Sequence, residues 1–105
     1  MRGGIPQGFF YLTDFEGATA RIHFALYAAG RPARLALGRQ VLAWCWATFE
    51  LQALLGVIPG LNLGAVNYAR ALGGRELGRL PGYCWVARLK RAVAGRQFLF
   101  EREAA

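Results

Sequence analysis

Acidic residues are scarce in this chain, six among 105, against 13 lysines and arginines. Charge of either sign is thin, 18% where about 25% is usual, while 55% of the residues are hydrophobic. A small domain needs polar residues to cover its large relative surface, so the shortage directs much of the apolar surface toward lipid or other proteins. Cysteine occurs only at Cys45 and Cys84, with no CxxC pairing, and the one histidine, His23, is distant from both in sequence. That excludes the usual metal-ligand spacings. The two thiols read as small buried hydrophobes, with a disulfide as the other arrangement open to them. No continuous apolar core follows Met1 and Arg2, as a secretory signal would require, and Asp14 and Glu16 interrupt a cleavable mitochondrial presequence. Nucleophile–base pairs, a phosphate-binding loop and clustered carboxylates are all missing. The sequence therefore implies no cofactor, no metal and no catalytic residue.

What is present is organised around an uncharged centre. No basic residue falls between Arg39 and Arg70, and Leu51 to Ala69 carries no charge at all. As a helix those 19 residues would cover roughly 28 Å, near the ~30 Å hydrocarbon thickness of a bilayer. Trp44 and Trp46 before the stretch and Tyr68 near its end stand where amphipathic rings anchor a span. The pattern predicts an all-α chain: a 1–40 N-terminal extension, a 41–70 transmembrane helix and a 71–105 basic C-terminal segment. Gly3, Gly4, Pro6 and Gly8 predict an irregular arm over 1–16, and a short helix is expected over 17–29. Residues 83–94 read as a short amphipathic helix, with Trp85, Leu89 and Val93 on one face. A long buried helix in a complex away from the membrane is the alternative reading of the centre.

Within the expected span, Gly56, Gly60 and Gly64 recur every four residues, which on a helix leaves a groove for close packing of a neighbour. Pro59 would kink that helix and free a carbonyl for a partner. Trp44, Trp46, Arg70, Arg75, Trp85, Arg88, Lys90 and Arg91 are the expected anchors to lipid or partner. Glu50 reads as a carboxylate that reaches headgroups or a partner arginine.

From Trp46 onward the order of motifs resembles the MWFE accessory subunit of mitochondrial complex I. The residues concerned are Trp46-Ala47-Thr48-Phe49-Glu50, Gly56-Val57-Ile58-Pro59-Gly60-Leu61, Tyr68 and Arg70, Gly73-Gly74-Arg75-Glu76, Tyr83-Cys84-Trp85, and the basic run through Arg88, Lys90 and Arg91 toward Phe98 and Phe100. The resemblance implies a single-pass protein of the mitochondrial inner membrane. It would pack against the core subunit at the heel of the complex, other membrane-arm subunits and lipid, and would support assembly without chemistry of its own or contact with nucleic acid. The alternatives are an accessory subunit of ATP synthase or a cytochrome complex, or a basic mitochondrial ribosomal protein.

Overall fold

The computed structural model describes residues 8–26 and 28–103. Its order of elements is β1 (Gly8–Glu16), β2 (Thr19–Leu26), a 3-10 turn (Ala28–Ala33), α1 (Arg34–Thr48), β3 (Ala53–Pro59), α2 (Leu63–Ala71), β4 (Arg75–Val86) and β5 (Arg91–Glu101). The five strands form one sheet in the order β1-β2-β3-β5-β4. β1 and β2 are antiparallel, β2 and β3 parallel, and β5 is antiparallel to both β3 and β4.

The expected all-α, single-span architecture is therefore corrected to mixed α/β, and no helix of the described residues is long and apolar enough to cross a membrane. The physical reason lies in the uncharged stretch itself. Ala53–Pro59 is a central strand, paired with β5 along its length and with β2 over Ala53–Leu55, and such strands read as unbroken apolar runs that periodicity cannot tell from a buried helix. Pro59 and Gly60 end the strand, and the Asn62 side chain accepts from the Ala65 amide at 3.1 Å, starting α2 as a new element. Tyr68 lies inside α2 rather than at a membrane exit.

The N-terminal segments also depart from expectation. Residues 1–7 of the expected arm lie outside the described residues; its remainder and most of the expected short helix, to Leu26, are the hairpin β1–β2, in which Phe10 pairs with Phe24 and Leu12 with Ile22. Here Ala20, Ile22 and Phe24 alternate with Thr19, Arg21 and His23, a period of two that belongs to a strand. The expected helix over 83–94 is the β4–β5 hairpin, turning at Ala87–Leu89 with Lys90 in the left-handed region at φ 51°.

Both helices pack on one face of the sheet. α1 places Cys45 against Ala20, Leu51 and Leu54, with Phe10, Leu12 and Trp46 around them. α2 places Val66 and Ala69 on Phe98, and Phe100 joins the two clusters. The other face carries Tyr11, His23 and Arg21, and β4 curls across it at Tyr83. Gly95 permits that approach, because a Cβ there would lie 2.6 Å from Val57 Cγ1 and 3.3 Å from Tyr83 Cβ.

The residues expected to pack a span are dispersed. Gly56 and Pro59 belong to β3, Gly60 to the following turn and Gly64 to α2, so they share no helix face. Trp44 is half exposed on α1, edge-on to Phe10 at 5.4 Å, while Trp46 lies under the Arg102 guanidinium. Arg70 and Arg75 pair with Glu76 and Glu101. Trp85 stands on the β4–β5 hairpin, 68% exposed, close to Arg88, Lys90 and Arg91. Cys45 is buried, Cys84 half-buried, and both are free thiols.

Candidate functional site

β2 and β3 run side by side for only three rungs, Thr19↔Ala53, Ala20↔Leu54 and Arg21↔Leu55. Both strands continue, to Leu26 and Pro59, without further pairing to each other. Main-chain groups along Ile22–Leu26 and Gly56–Pro59 therefore face a gap instead of a neighbouring strand, and such groups require a partner. Five residues of β2 border the gap, roughly 16 Å at 3.3 Å per residue.

A cavity of about 270 Å³ fills the opening. Its walls are Ile22 and Phe24 of β2 and Gly56 and Ile58 of β3, with Gly38, Val41 and Leu42 of α1 and Ala65 and Tyr68 of α2 over them. His23 and Val57 also border it, although they belong to the opposite face of the sheet. The slot thus passes between the strands from the helix face toward the other side.

Toward solvent on the helix face the cavity shares Phe24, Ala65 and Tyr68 with a larger cleft of about 880 Å³, lined by Arg31, Arg34, Asn62 and Asn67. α1 begins there. Its N-cap is Ala33, no side chain caps it and no acidic residue occupies the first turn. The 3-10 turn runs directly into α1, and Arg31 and Arg34 give this end of the cleft a positive surface that suits an anion.

Tyr68 sets the spacing of the two helices. Its hydroxyl donates to the Arg34 carbonyl. Burial pushes the phenol up from its ordinary value, opposed by a hydrogen bond from the Gly38 backbone and by the Arg34 charge. It is neutral at physiological pH and able to donate. Its ring stacks on Phe24 at 6.1 Å. His23 is on the far rim, stacked on Tyr11 at 4.6 Å with Nε2 3.0 Å from the Thr13 hydroxyl.

Of the residues expected to pack or anchor a span, Gly56 and Tyr68 line the slot, as do His23, Ile58, Phe98 and Phe100, which the sequence named in other connections. Trp44, Trp46, Pro59, Gly60, Arg70, Arg75, Trp85, Arg88, Lys90 and Arg91 are outside that cavity, and Gly64 borders only the outer cleft. Gly38 and Tyr68 line the slot and Arg31 and Arg34 the outer cleft; sequence reasoning passed over Arg31, Arg34 and Gly38 as a site and took Tyr68 for a ring at a membrane exit. The available signal was a period-two run over 19–24 followed by a turn and a basic helix start. Among the described residues no group of three or more His, Cys, Asp or Glu could hold a metal ion.

No protein-family model and no curated protein matches the chain. Solved structures do. A point mutant of the spermidine N-acetyltransferase SpeG from Vibrio cholerae superposes with a TM-score of 0.80 at 15% identity, over 90% of this chain and 57% of that one. A chimera of the Vibrio cholerae enzyme with hSSAT gives 0.85 at 14% identity, over 96% and 64%. An acetyltransferase of the GNAT family from Bacillus anthracis gives 0.72 at 10%, over 90% and 58%. The chain thus spans less than two thirds of the length of each of these three. These matches, with the lack of a spanning helix, overturn the complex I resemblance. The expected non-catalytic inner-membrane role falls with it, together with its subunit and lipid partners and the rival accessory and ribosomal roles. Over the part it covers, the chain has the fold of N-acetyltransferases.

Proposed function

We propose that this chain is the coenzyme A-binding portion of an N-acyltransferase, with an acyl-coenzyme A as donor and an amine as acceptor. The observation that carries the reading is the slot between β2 and β3 opening onto the start of α1 with Arg31 and Arg34. An acyl-coenzyme A has three matching parts: a phosphorylated end, an extended arm with two amides, and a thioester. The phosphates suit the two guanidinium groups. The arm suits the slot, where its amides can pair with the free strand edges as an added strand would. The thioester then reaches the face bearing His23 and Arg21.

The chemistry is acyl transfer. The amine nitrogen attacks the thioester carbonyl, the C–N bond forms and the C–S bond breaks. The nitrogen gives up a proton, and the leaving sulfur takes one. Holding the two reactants in line supplies much of the acceleration in such reactions.

Calorimetric titration with coenzyme A tests the reading. Saturable binding is expected, weakened about tenfold in Arg34→Gln by loss of one charge-assisted contact and falling with added salt. Pantetheine, which has no phosphates, should bind equally to the two proteins. No binding of coenzyme A at millimolar concentration would overturn the proposal.

A further inference from the structure

We infer that the β4–β5 hairpin tip is an electrostatic guide that draws the phosphates of acyl-coenzyme A to the open end of the slot and sets the rate of association; this rests on the coenzyme A reading above. The first observation is how charge is divided along the strands. Five of the six acids gather at the end where β2 and β3 are joined. Glu16 and Glu101 stand on the rungs Glu16↔Thr19 and Ala53↔Glu101, and Asp14 is beside Arg21. Glu50 and Glu103 adjoin the same end, where the Gln52 amide bonds to the Ala18 carbonyl and the Arg102 amide to the Gln52 carbonyl. The sixth, Glu76, is enclosed between Arg70 and Arg96.

The cations at the other end have no such partners. β5 passes the end of β3 at the rung Pro59↔Gly95 and continues to Arg91, roughly 13 Å further at 3.3 Å per residue. The tip therefore stands out beyond the mouth of the slot, and it carries Arg88, Lys90 and Arg91, all exposed. Arg31 and Arg34 line the outer cleft at the same end. Arg21, Arg70, Arg75 and Arg96 each hold a carboxylate, whereas these five cations form no ion pair among the described residues. Lys90 adds a second observation. It is in the left-handed region at φ 51°, a conformation that favours glycine, yet the position carries a cation. The tip lines neither the slot nor the outer cleft, so it acts through space and not by contact. An anion approaching at random is turned toward the open end and away from the acids, which speeds encounter. Dissociation is left to the contacts inside the slot.

Stopped-flow mixing of the full chain with a fluorescent etheno-adenine coenzyme A tests this. Charges are felt across roughly 30 Å at about 10 mM ionic strength and roughly 3 Å at about 1 M. Arg88→Gln, Lys90→Gly and Arg91→Gln together should lower the association rate constant about tenfold at low salt, with the dissociation rate constant unchanged. At high salt both constants should equal the parent's, which also shows the slot intact. Glu50→Gln with Glu103→Gln, at the closed end, should change association by less than about twofold. Association of the triple variant as fast as the parent's at low salt would overturn the inference. So would an effect carried by dissociation, or an equally large one from the two closed-end substitutions, which would make net charge and not its placement the cause. Failure of the parent to bind at either salt would overturn the coenzyme A reading, and this inference with it.

Discussion

Tyr68 and Gly38 meet where α2 crosses α1: a Cβ on Gly38 would lie 2.5 Å from the Tyr68 hydroxyl oxygen and 2.7 Å from the Leu72 methyls. The glycine is required by close approach, and the reward is a hydroxyl seated on the first turn of α1.

Gly38→Ala should therefore destabilise the chain by about 1–3 kcal/mol, the usual cost of forcing extra atoms into a packed contact. Tyr68→Phe should cost about 1 kcal/mol, one hydrogen bond. Urea unfolding of the two variants and the parent measures both.

Gly56 behaves differently. A Cβ there meets Ile22 Cγ2 and Phe100 Cε2 at 3.7 Å, ordinary contact distances. Gly56→Ala should leave stability unchanged or raise it by up to about 1 kcal/mol. Gly56→Phe should fill the slot and abolish coenzyme A binding in calorimetry. If Gly56→Phe binds as tightly as the parent, the slot is not the binding site.

Glu76 is clamped between arginines of α2 and β5. Hydrogen bonds from Arg96, and secondarily from Arg70, outweigh burial and hold its carboxyl at about 2, below the ordinary 4.5. A depressed folded-state value means that the contribution is fully present above 4.5 and is lost as pH falls toward about 2. Glu76→Gln should lower the melting temperature at pH 7, and the gap between variant and parent should close as pH falls through that window. A gap of constant size from pH 7 to pH 2 would exclude the ion pair as its cause.

Asn62→Ala removes the cap of α2, an expected loss of about 1 kcal/mol. Phe98→Ala empties a site that is 0% exposed under α2, an expected loss of about 3–5 kcal/mol. Thermal denaturation ranks the pair.

Particular residues show how far the sequence could be read. The uncharged run 51–69 announces burial, and burial is what Leu54, Val66 and Ala69 have. The alternation Ala20, Ile22, Phe24 was legible as a strand, yet Gly3, Gly4, Pro6 and Gly8 pointed to an irregular arm over 1–16 and a short helix was expected after it. Trp85, Leu89 and Val93 fit a helix face equally well as a hairpin turning at Leu89. The repeat Gly56, Gly60, Gly64 had no way to reveal that Pro59 and Asn62 divide it among three elements.

By itself the sequence determined composition-level facts: an apolar centre, a surplus of arginine, and no acid from 22 to 49 or from 77 to 100. Those hold whatever the fold, because they are sums over residues. Only the tertiary structure decided that the centre is strand, turn and helix, and that β2 parts from β3 after Arg21. Apolar side chains are satisfied by any dry environment, so lipid and the interior of a sheet leave the same imprint on the chain. The slot arises from pairing that stops between strands with α1 between them in sequence, which no local pattern records.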